Sequence, residues 1–455
     1  MYCAKVKTRI HKVIRLLRSE QADALLVWNS EGSGQPATRW LSGFLGTASV
    51  ALILLPPPRL RHPSLERRGG RHHLSCFLIT DGRYTAQAKK EAKGFTVLIS
   101  SAKKPTLKIL AEIIAENKVG RILFDGSVTA YGVVEEVKQI LEKTTPVAES
   151  PLTKGALRRD VGGGLSQPPK AAPFGKGKTT PGLADSATPF SKGDTPLSSI
   201  ELISRKHILQ ELRVVKEKEE IQLLKESAEI ACRAFARLIP ELHVGMSEKE
   251  IAKRLEDLMT EEGAEGIAFP TIVASGKNGA LPHARPTDKK IKSGELVTID
   301  FGARYKGYVS DMTRTLAVGK ISSRLRKMYE AVRVAQELGC QKAKAGMTGA
   351  EIDAVCREYL TKKGYGKYFT HSTGHGIGME VHELPHVSPN PTPSNSPLER
   401  GRGRENALPA GAVITCEPGV YIPNVGGVRI EDALVLTKRG NVNLTEGVTK
   451  ELIVV

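Results

Sequence analysis

The chain has 455 residues and a formal net charge of +18, with 40% apolar and 25% charged residues. That is ordinary globular usage, enough for two or three domains, and it excludes a collagenous, coiled-coil or wholly disordered protein. No apolar run reaches the roughly 18 residues that a membrane span needs, and the basic start lacks the apolar block of a secretory signal.

The amino-terminal stretch reads as a helix running into a strand at Ala24 to Trp28. Further short apolar runs follow at Ala51 to Leu55, Phe77 to Thr80, Thr96 to Ile99 and Arg121 to Phe124, alternating with helical stretches such as Leu107 to Glu116. This alternation predicts a small α/β domain over 1–150, carrying a basic loop insertion at 56–75. Residues 151–211 read as a Pro/Gly-rich linker or insertion, and 212–455 as a second domain with a loop insertion at 388–406.

Pro56 to Ser75, Pro151 to Ser199 and Ser388 to Asn406 carry +4, +4 and +1, half of the net charge. They are aperiodic and lack interleaved aromatics, so the basic balance belongs to solvated loops and a nucleic-acid surface is disfavoured. The six cysteines are scattered without a C-x-x-C pair. Reduced thiols in a cytoplasmic protein are therefore expected, and neither a disulfide framework nor a cysteine zinc cluster.

The second domain opens with a helix over Leu212 to Leu238, where Ile221, Leu224, Ala228, Ala231, Phe235 and Leu238 share one face. It then repeats itself. Gly245 to Ile251 matches Gly346 to Ile352, and Gly294 to Gly302 matches Gly411 to Gly419, aligning Asp300 with Glu417. Both copies contain a capping box, Ser247 with Glu250 and Thr348 with Glu351, so each starts a helix. Two similar αβ halves facing one another would draw equivalent side chains into a site between them.

The first half predicts a β-hairpin, Val297 to Phe301 and Tyr308 to Thr315, centred between Tyr305 and Lys306, with Asp300 and Asp311 opposite one another across it. In the second half Glu417 and Glu431 bracket a Pro/Gly-rich excursion. Four converging carboxylates repel one another unless cations balance them, and two divalent ions supply the +4 needed. The segment from His371 to Glu383 offers three histidines, His371, His375 and His382. Its glycines at 374, 376 and 378 disfavour a helix and let backbone pass close to a metal or substrate. Oxygen-rich ligation with one imidazole favours manganese, with cobalt or zinc as alternatives.

These segments resemble the pita-bread metallopeptidases, in their Xaa-Pro aminopeptidase and Xaa-Pro dipeptidase (prolidase) branch. The similarity runs through Val273-Ala274-Ser275-Gly276, Leu281-Pro282-His283, Asp300-Phe301-Gly302, Asp311-Met312-Thr313-Arg314, His371 to His382, Glu417-Pro418-Gly419 and Val428 to Asp432. Asp23 to Val27 and Thr80 to Tyr84 resemble the creatinase-like amino-terminal domain of that family.

The resemblance implies an α/β (α+β) chain with a small α/β amino-terminal domain and a pseudo-two-fold pita-bread catalytic domain. It implies Asp300, Asp311, His375, Glu417 and Glu431 as metal ligands, with His283, His371 and His382 lining the substrate site. Arg429, two residues before Glu431 on an extended strand, would orient carboxylates from behind. The activity expected is release of the amino-terminal residue from peptides with proline second, two ions activating a water and Glu417 carrying the proton. A prolidase is the alternative, and a non-catalytic binding protein on the same fold the remote one. The expected partners are a peptide with an Xaa-Pro amino terminus and a second copy in a homodimer, with no membrane.

Overall fold

A computed structural model describes residues 2–31, 36–56, 75–144, 200–390 and 406–455. The basic loop at 57–74, most of the linker (145–199) and the insertion at 391–405 lie outside the described residues.

The amino-terminal unit is built on a six-stranded sheet in the order Thr96–Ser100, Ser75–Asp81, Ser49–Leu54, Ala24–Asn29, Arg121–Asp125, Glu201–Arg205. The central strands are apolar throughout because both faces are covered. Ala24, Leu26, Leu52 and Ile79 pack against the helices Thr106–Glu116 and Tyr131–Thr144. Leu25, Val27, Ala51 and Ile53 face the other way, toward the helices Tyr2–Ser19 and Ala37–Ser42. That second core continues into Leu212, Leu224 and Ala228 of the second unit.

The last strand of this sheet lies inside the segment expected to be linker. Glu201–Arg205 pairs in parallel with Arg121–Asp125, with Leu202 and Ile203 packed on opposite faces of the sheet. Five residues beside a Pro/Ser-rich stretch carry too little periodicity to announce a strand, and an edge position completes it through a neighbour distant in sequence.

The long helix begins at Lys218, six residues later than the apolar spacing predicts, and ends at Leu238. Glu217 caps it in a box with Glu220. Glu220 also accepts hydrogen bonds from Trp40 Nε1 at 2.9 Å and from the Tyr308 hydroxyl at 2.8 Å, tying the amino-terminal unit to both the helix and the hairpin. The two repeat helices are Glu248–Glu261 and Gly349–Lys362, each with its capping box formed. Gly263 and Gly364, at φ of +101° and +83°, follow their last turns, a conformation that a side chain would strain.

Each half contributes a small sheet. The first joins Ile272–Ser275, Leu296–Phe301 and Met312–Ala317. The second joins Glu383–Val387, Gly374–Gly376, Val413–Cys416, Asp432–Leu436 and Asn441–Asn443, and the excursion after Glu417 is a hairpin of Gly419–Ile422 with Gly426–Arg429.

One expected register is corrected. Tyr305 pairs with Tyr308 across a two-residue turn, Lys306-Gly307, and Asp300 pairs with Thr313 rather than standing opposite Asp311. Lys306 and Gly307 both have positive φ, +47° and +81°, as a tight hairpin turn matching the twist of its strands requires. The centre therefore moves one residue along, and the pairing moves by two. Since strand side chains alternate, a shift of two keeps both aspartates on the same face as diagonal neighbours.

Candidate metal centre

The ends of strands from both halves meet at one place. Asp300 lies near the end of Leu296–Phe301, and Asp311 immediately precedes Met312–Ala317. His375 is the middle residue of Gly374–Gly376, Glu417 follows Val413–Cys416 and Glu431 precedes Asp432–Leu436. Cys416 pairs with Asp432, so continuing that register sets Glu417 and Glu431 opposite each other. Backbone bonds lock these ends together, from Glu431 N to Thr313 O at 3.1 Å and from Glu417 N to Thr373 O at 2.7 Å.

His375 sits among the carboxylates. Its Nε2 is 3.3 Å from Glu417 Oε1 and 3.7 Å from Asp311 Oδ2. Asp311, His375 and Glu431 each offer a ligand atom within 4.8 Å of the others, a grouping that could hold a metal ion. The His375 Nδ1 lies 3.1 Å from Gly376 O, to which its N–H donates, so the Nε2 lone pair faces the acids.

The acids share a pattern. Asp300 Oδ2 accepts from Arg429 Nη2 at 2.5 Å while Oδ1 is buried without a hydrogen-bond partner among the described residues. Glu431 Oε2 accepts from Thr313 Oγ1 at 2.6 Å, and its Oε1 is likewise left over. A buried carboxylate oxygen with no donor is costly, and a cation is the partner that resolves it. Four carboxylates and one imidazole suit divalent ions that accept oxygen ligands. The residues present therefore fit the ions that the ligand chemistry implies.

The electrostatics agree. Burial, followed by the charges of Glu431, Asp300 and Glu417, raises the Asp311 pKa well above the usual carboxylate range. Glu431 is raised by burial and then by Glu417 and Asp300. Glu417 is pushed up to about 8, chiefly by burial, with Arg429 opposing and Asp300 adding. Burial also drives His375 down to about 3, a neutral imidazole with its lone pair available.

Arg429 is buried and divides its donors. Besides Asp300 it bonds Thr313 Oγ1 at 3.1 Å, the Tyr421 hydroxyl at 2.8 Å and Pro282 O at 3.1 Å. It touches Asp300 directly and reaches Glu431 only through Thr313. The Tyr421 hydroxyl lies 2.9 Å from His371 Nε2, and His371 Nδ1 lies 2.8 Å from Ser372 O. Both ring nitrogens of His371 are thus engaged within the protein, and burial lowers its pKa to about 4. His283 and His382 are exposed. The His382 ring lies 4.3 Å from that of His375.

The glycines near His375 serve packing more than ligand access. A Cβ on Gly374 would come within 2.1 Å of Thr415 O, and one on Gly376 within 2.2 Å of Leu384 O, so bare backbone is what lets these strands approach. Glu383, one residue past His382, is buried against Lys216 Nζ at 2.8 Å and Arg213 at 3.4 Å. Cys416 points to the far side, its Sγ 3.9 Å from Gln336 O.

Sequence reading missed Thr313, Thr415 and Tyr421. Thr415 Oγ1 accepts from His375 N at 3.0 Å and lies 3.3 Å from Glu417 Oε1. The available signal was polar residues at alternate positions beside the acids, Asp311 with Thr313 and Thr315, and Thr415 with Glu417.

Comparison with known proteins identifies the family. Residues 222–438 match the model of metallopeptidase family M24, and residues 9–156 match that of the creatinase/prolidase N-terminal domain. The chain is 34% identical over 448 residues to "Uncharacterized peptidase YqhT" of Bacillus subtilis, covering 98% of this chain and 99% of that one. Its structure is similar to that of an Xaa-Pro dipeptidase from Bacillus anthracis, with a TM-score of 0.76, 32% identity and coverage of 99% and 100% of the two chains. It is also similar to that of an X-Pro aminopeptidase from Thermotoga maritima, with a TM-score of 0.72, 31% identity and coverage of 96% and 100%. With the mixed α/β architecture and this cluster of acids around one histidine, these similarities make the chain a member of metallopeptidase family M24.

Proposed function

We propose that this peptidase releases the amino-terminal residue from peptides with proline in the second position, using two divalent ions held by Asp300, Asp311, His375, Glu417 and Glu431. The observation that carries the reading is the convergence of acids from both halves on the His375 Nε2, with one oxygen each of Asp300 and Glu431 left without a partner among the described residues. When bound, the ions would supply Lewis-acid charge to polarise the scissile carbonyl and activate a water; manganese suits the ligand set, with cobalt or zinc as alternatives.

The chain's own residues do the rest. Glu417 accepts a proton at its carboxylate and returns it to the departing nitrogen. Arg429 holds Asp300 in place, and Thr313 does the same for Glu431. His283 and His382, both exposed, are our choice for gripping the peptide backbone or the developing oxyanion. His371, with both nitrogens engaged, contributes by seating the Tyr421 hydroxyl. The nitrogen of an Xaa-Pro bond has no N–H, so selection for proline must come from the shape around its ring.

Prolidase activity is the second reading, favoured by the similarity to the Bacillus anthracis Xaa-Pro dipeptidase. Assay of an Xaa-Pro dipeptide beside an Xaa-Pro-Xaa tripeptide separates the two. Turnover of the tripeptide with free Xaa as product supports the aminopeptidase, and turnover of the dipeptide alone supports the prolidase. Absence of both activities in metal-loaded protein would favour the non-catalytic alternative. We place the second domain at 212–455 and extend the amino-terminal domain beyond 1–150 to take in its edge strand Glu201–Arg205, and infer a cytoplasmic homodimer. No helix among the described residues is long and apolar enough to cross a membrane.

A further inference from the structure

The loop that carries His371 is held from behind by a pair of residues with no place in the metal cluster. Asp353 and Arg357 stand one turn apart on the helix Gly349–Lys362. Arg357 Nε lies 2.7 Å from Asp353 Oδ2 and its Nη2 2.9 Å from Oδ1, a two-pronged pair with Asp353 buried and Arg357 about a quarter exposed. The remaining donors are spent on one stretch of backbone. Nη1 donates to Phe369 O at 3.0 Å and Nη2 to His371 O at 2.8 Å. Asp353 Oδ1 accepts from Thr373 N at 2.9 Å. The guanidinium also lies 4.2 Å over the Phe369 ring, whose edge contacts His371 at a centroid distance of 5.2 Å.

What is held leads to the centre by two routes. His371 passes through the Tyr421 hydroxyl and Arg429 to Asp300, each link 2.9 Å or shorter. Thr373 O accepts from Glu417 N at 2.7 Å. The repeat shows that the helix does not need the pair for its own sake. At the equivalent positions of the first-half helix stand Ala252 and Glu256, and that helix keeps the same length and the same capping box.

We propose that Arg357, anchored by Asp353, is a positioning residue for His371, fixing the loop so that the chain from His371 through Tyr421 and Arg429 to Asp300 stays in register. This rests on the reading of His371 and Asp300 as site residues. A fork bonded at once to a carboxylate and two carbonyls has little freedom, which is what a positioning role needs, and lysine cannot reproduce the fork.

The test uses the full-length manganese-loaded protein and an Xaa-Pro-Xaa tripeptide, comparing Arg357→Met, Arg357→Lys, His371→Ala and the double variant Arg357→Met/His371→Ala. Arg357→Met is expected to lower kcat/KM about 10- to 100-fold, mainly through kcat, with bound metal per chain close to the parent; the thermal midpoint falls because the buried Asp353 Oδ2 loses its donor, but the variant stays folded at the assay temperature. Arg357→Lys, which keeps the charge and is the milder change, should recover part of that loss. On the His371→Ala background, Arg357→Met should cost less than about threefold, because both changes break the same chain. The proposal is overturned if Arg357→Met stays within about twofold of the parent, if its loss follows loss of fold or of metal, or if the two single effects multiply fully. An unchanged His371→Ala variant would instead remove the reading of His371 on which the proposal rests.

Discussion

The two halves of the catalytic unit start from the same local plan and finish differently. Each has a capping box, a helix ended by a left-handed glycine, and a strand delivering an acid, Asp300 in one and Glu417 in the other. In the first half the second acid, Asp311, stands diagonally across a two-residue hairpin. In the second, Glu431 stands opposite Glu417 at the open end of a strand pair, with another hairpin inserted between them. The histidine at the middle of the cluster comes only from the second half, and so does the Asp353–Arg357 pair that braces the loop of His371. A duplicated scaffold thus supplies matched negative charge, and the asymmetric additions turn it into a site with a direction.

If the carboxylates act as matched pairs, removing one charge from either half should be equally damaging. Asp311→Asn and Glu431→Gln are each expected to lower turnover by about a hundredfold or more and to weaken retention of one ion without unfolding the protein. Turnover and metal content per chain check this together. Near-normal turnover of one variant with two ions bound would break the symmetry and end the dinuclear reading.

Chelation tests both halves at once. Stripped protein should lose activity and regain it best with manganese or cobalt, since the combined ligand set is rich in oxygen. Full activity in chelator, with no ion found by metal analysis, would refute the metal-dependent mechanism.

Metal-free protein should also show the burial of these acids as a dependence of stability on pH. Glu417, pushed up to about 8 from 4.5, holds its proton in the folded state, so the stability this contributes at low pH is lost as pH rises toward 8. His371 and His375, pushed down from 6.5, act in the opposite sense but only below about pH 6.5. Between about pH 6.5 and 8 the acids act alone, and Glu417 by itself should cost about 2 kcal/mol across that window. Denaturant melts at several pH values, with and without manganese, measure it. A metal-free profile as flat as the metal-loaded one would show that burial does not hold a proton on Glu417.

The smallest effect concerns what the halves share. Ser247→Ala and Thr348→Ala each remove a cap hydroxyl bonded to a backbone N–H at 3.2 Å, and each should cost about 1 kcal/mol. Unequal costs would show that one helix leans on its tertiary neighbours more than the other.

Local rules and contacts between segments divide the account of this chain. The capping boxes, the glycine stops, the apolar runs of the amino-terminal sheet and the acids Asp300, Asp311, Glu417 and Glu431 are legible along the sequence, because they depend on a few neighbouring residues or on an internal repeat; the choice of His375 among three histidines came from the family resemblance. The strand Glu201–Arg205 was not, since it exists only by pairing with Arg121–Asp125. The hairpin register depended on which two residues could both take positive φ, and spacing alone set its centre one residue early. Arg429 could be named as a helper from its place beside Glu431, but its bond to Asp300, 129 positions away, follows from the way the two sheets meet. Burial is likewise a tertiary property: it raises Glu417, lowers His375 and leaves single oxygens of Asp300 and Glu431 without donors among the described residues. Sequence by itself determined which groups could take part, because chemistry travels with the residue. Only the tertiary structure decided what each one faces, because desolvation and charge proximity are properties of the space between segments.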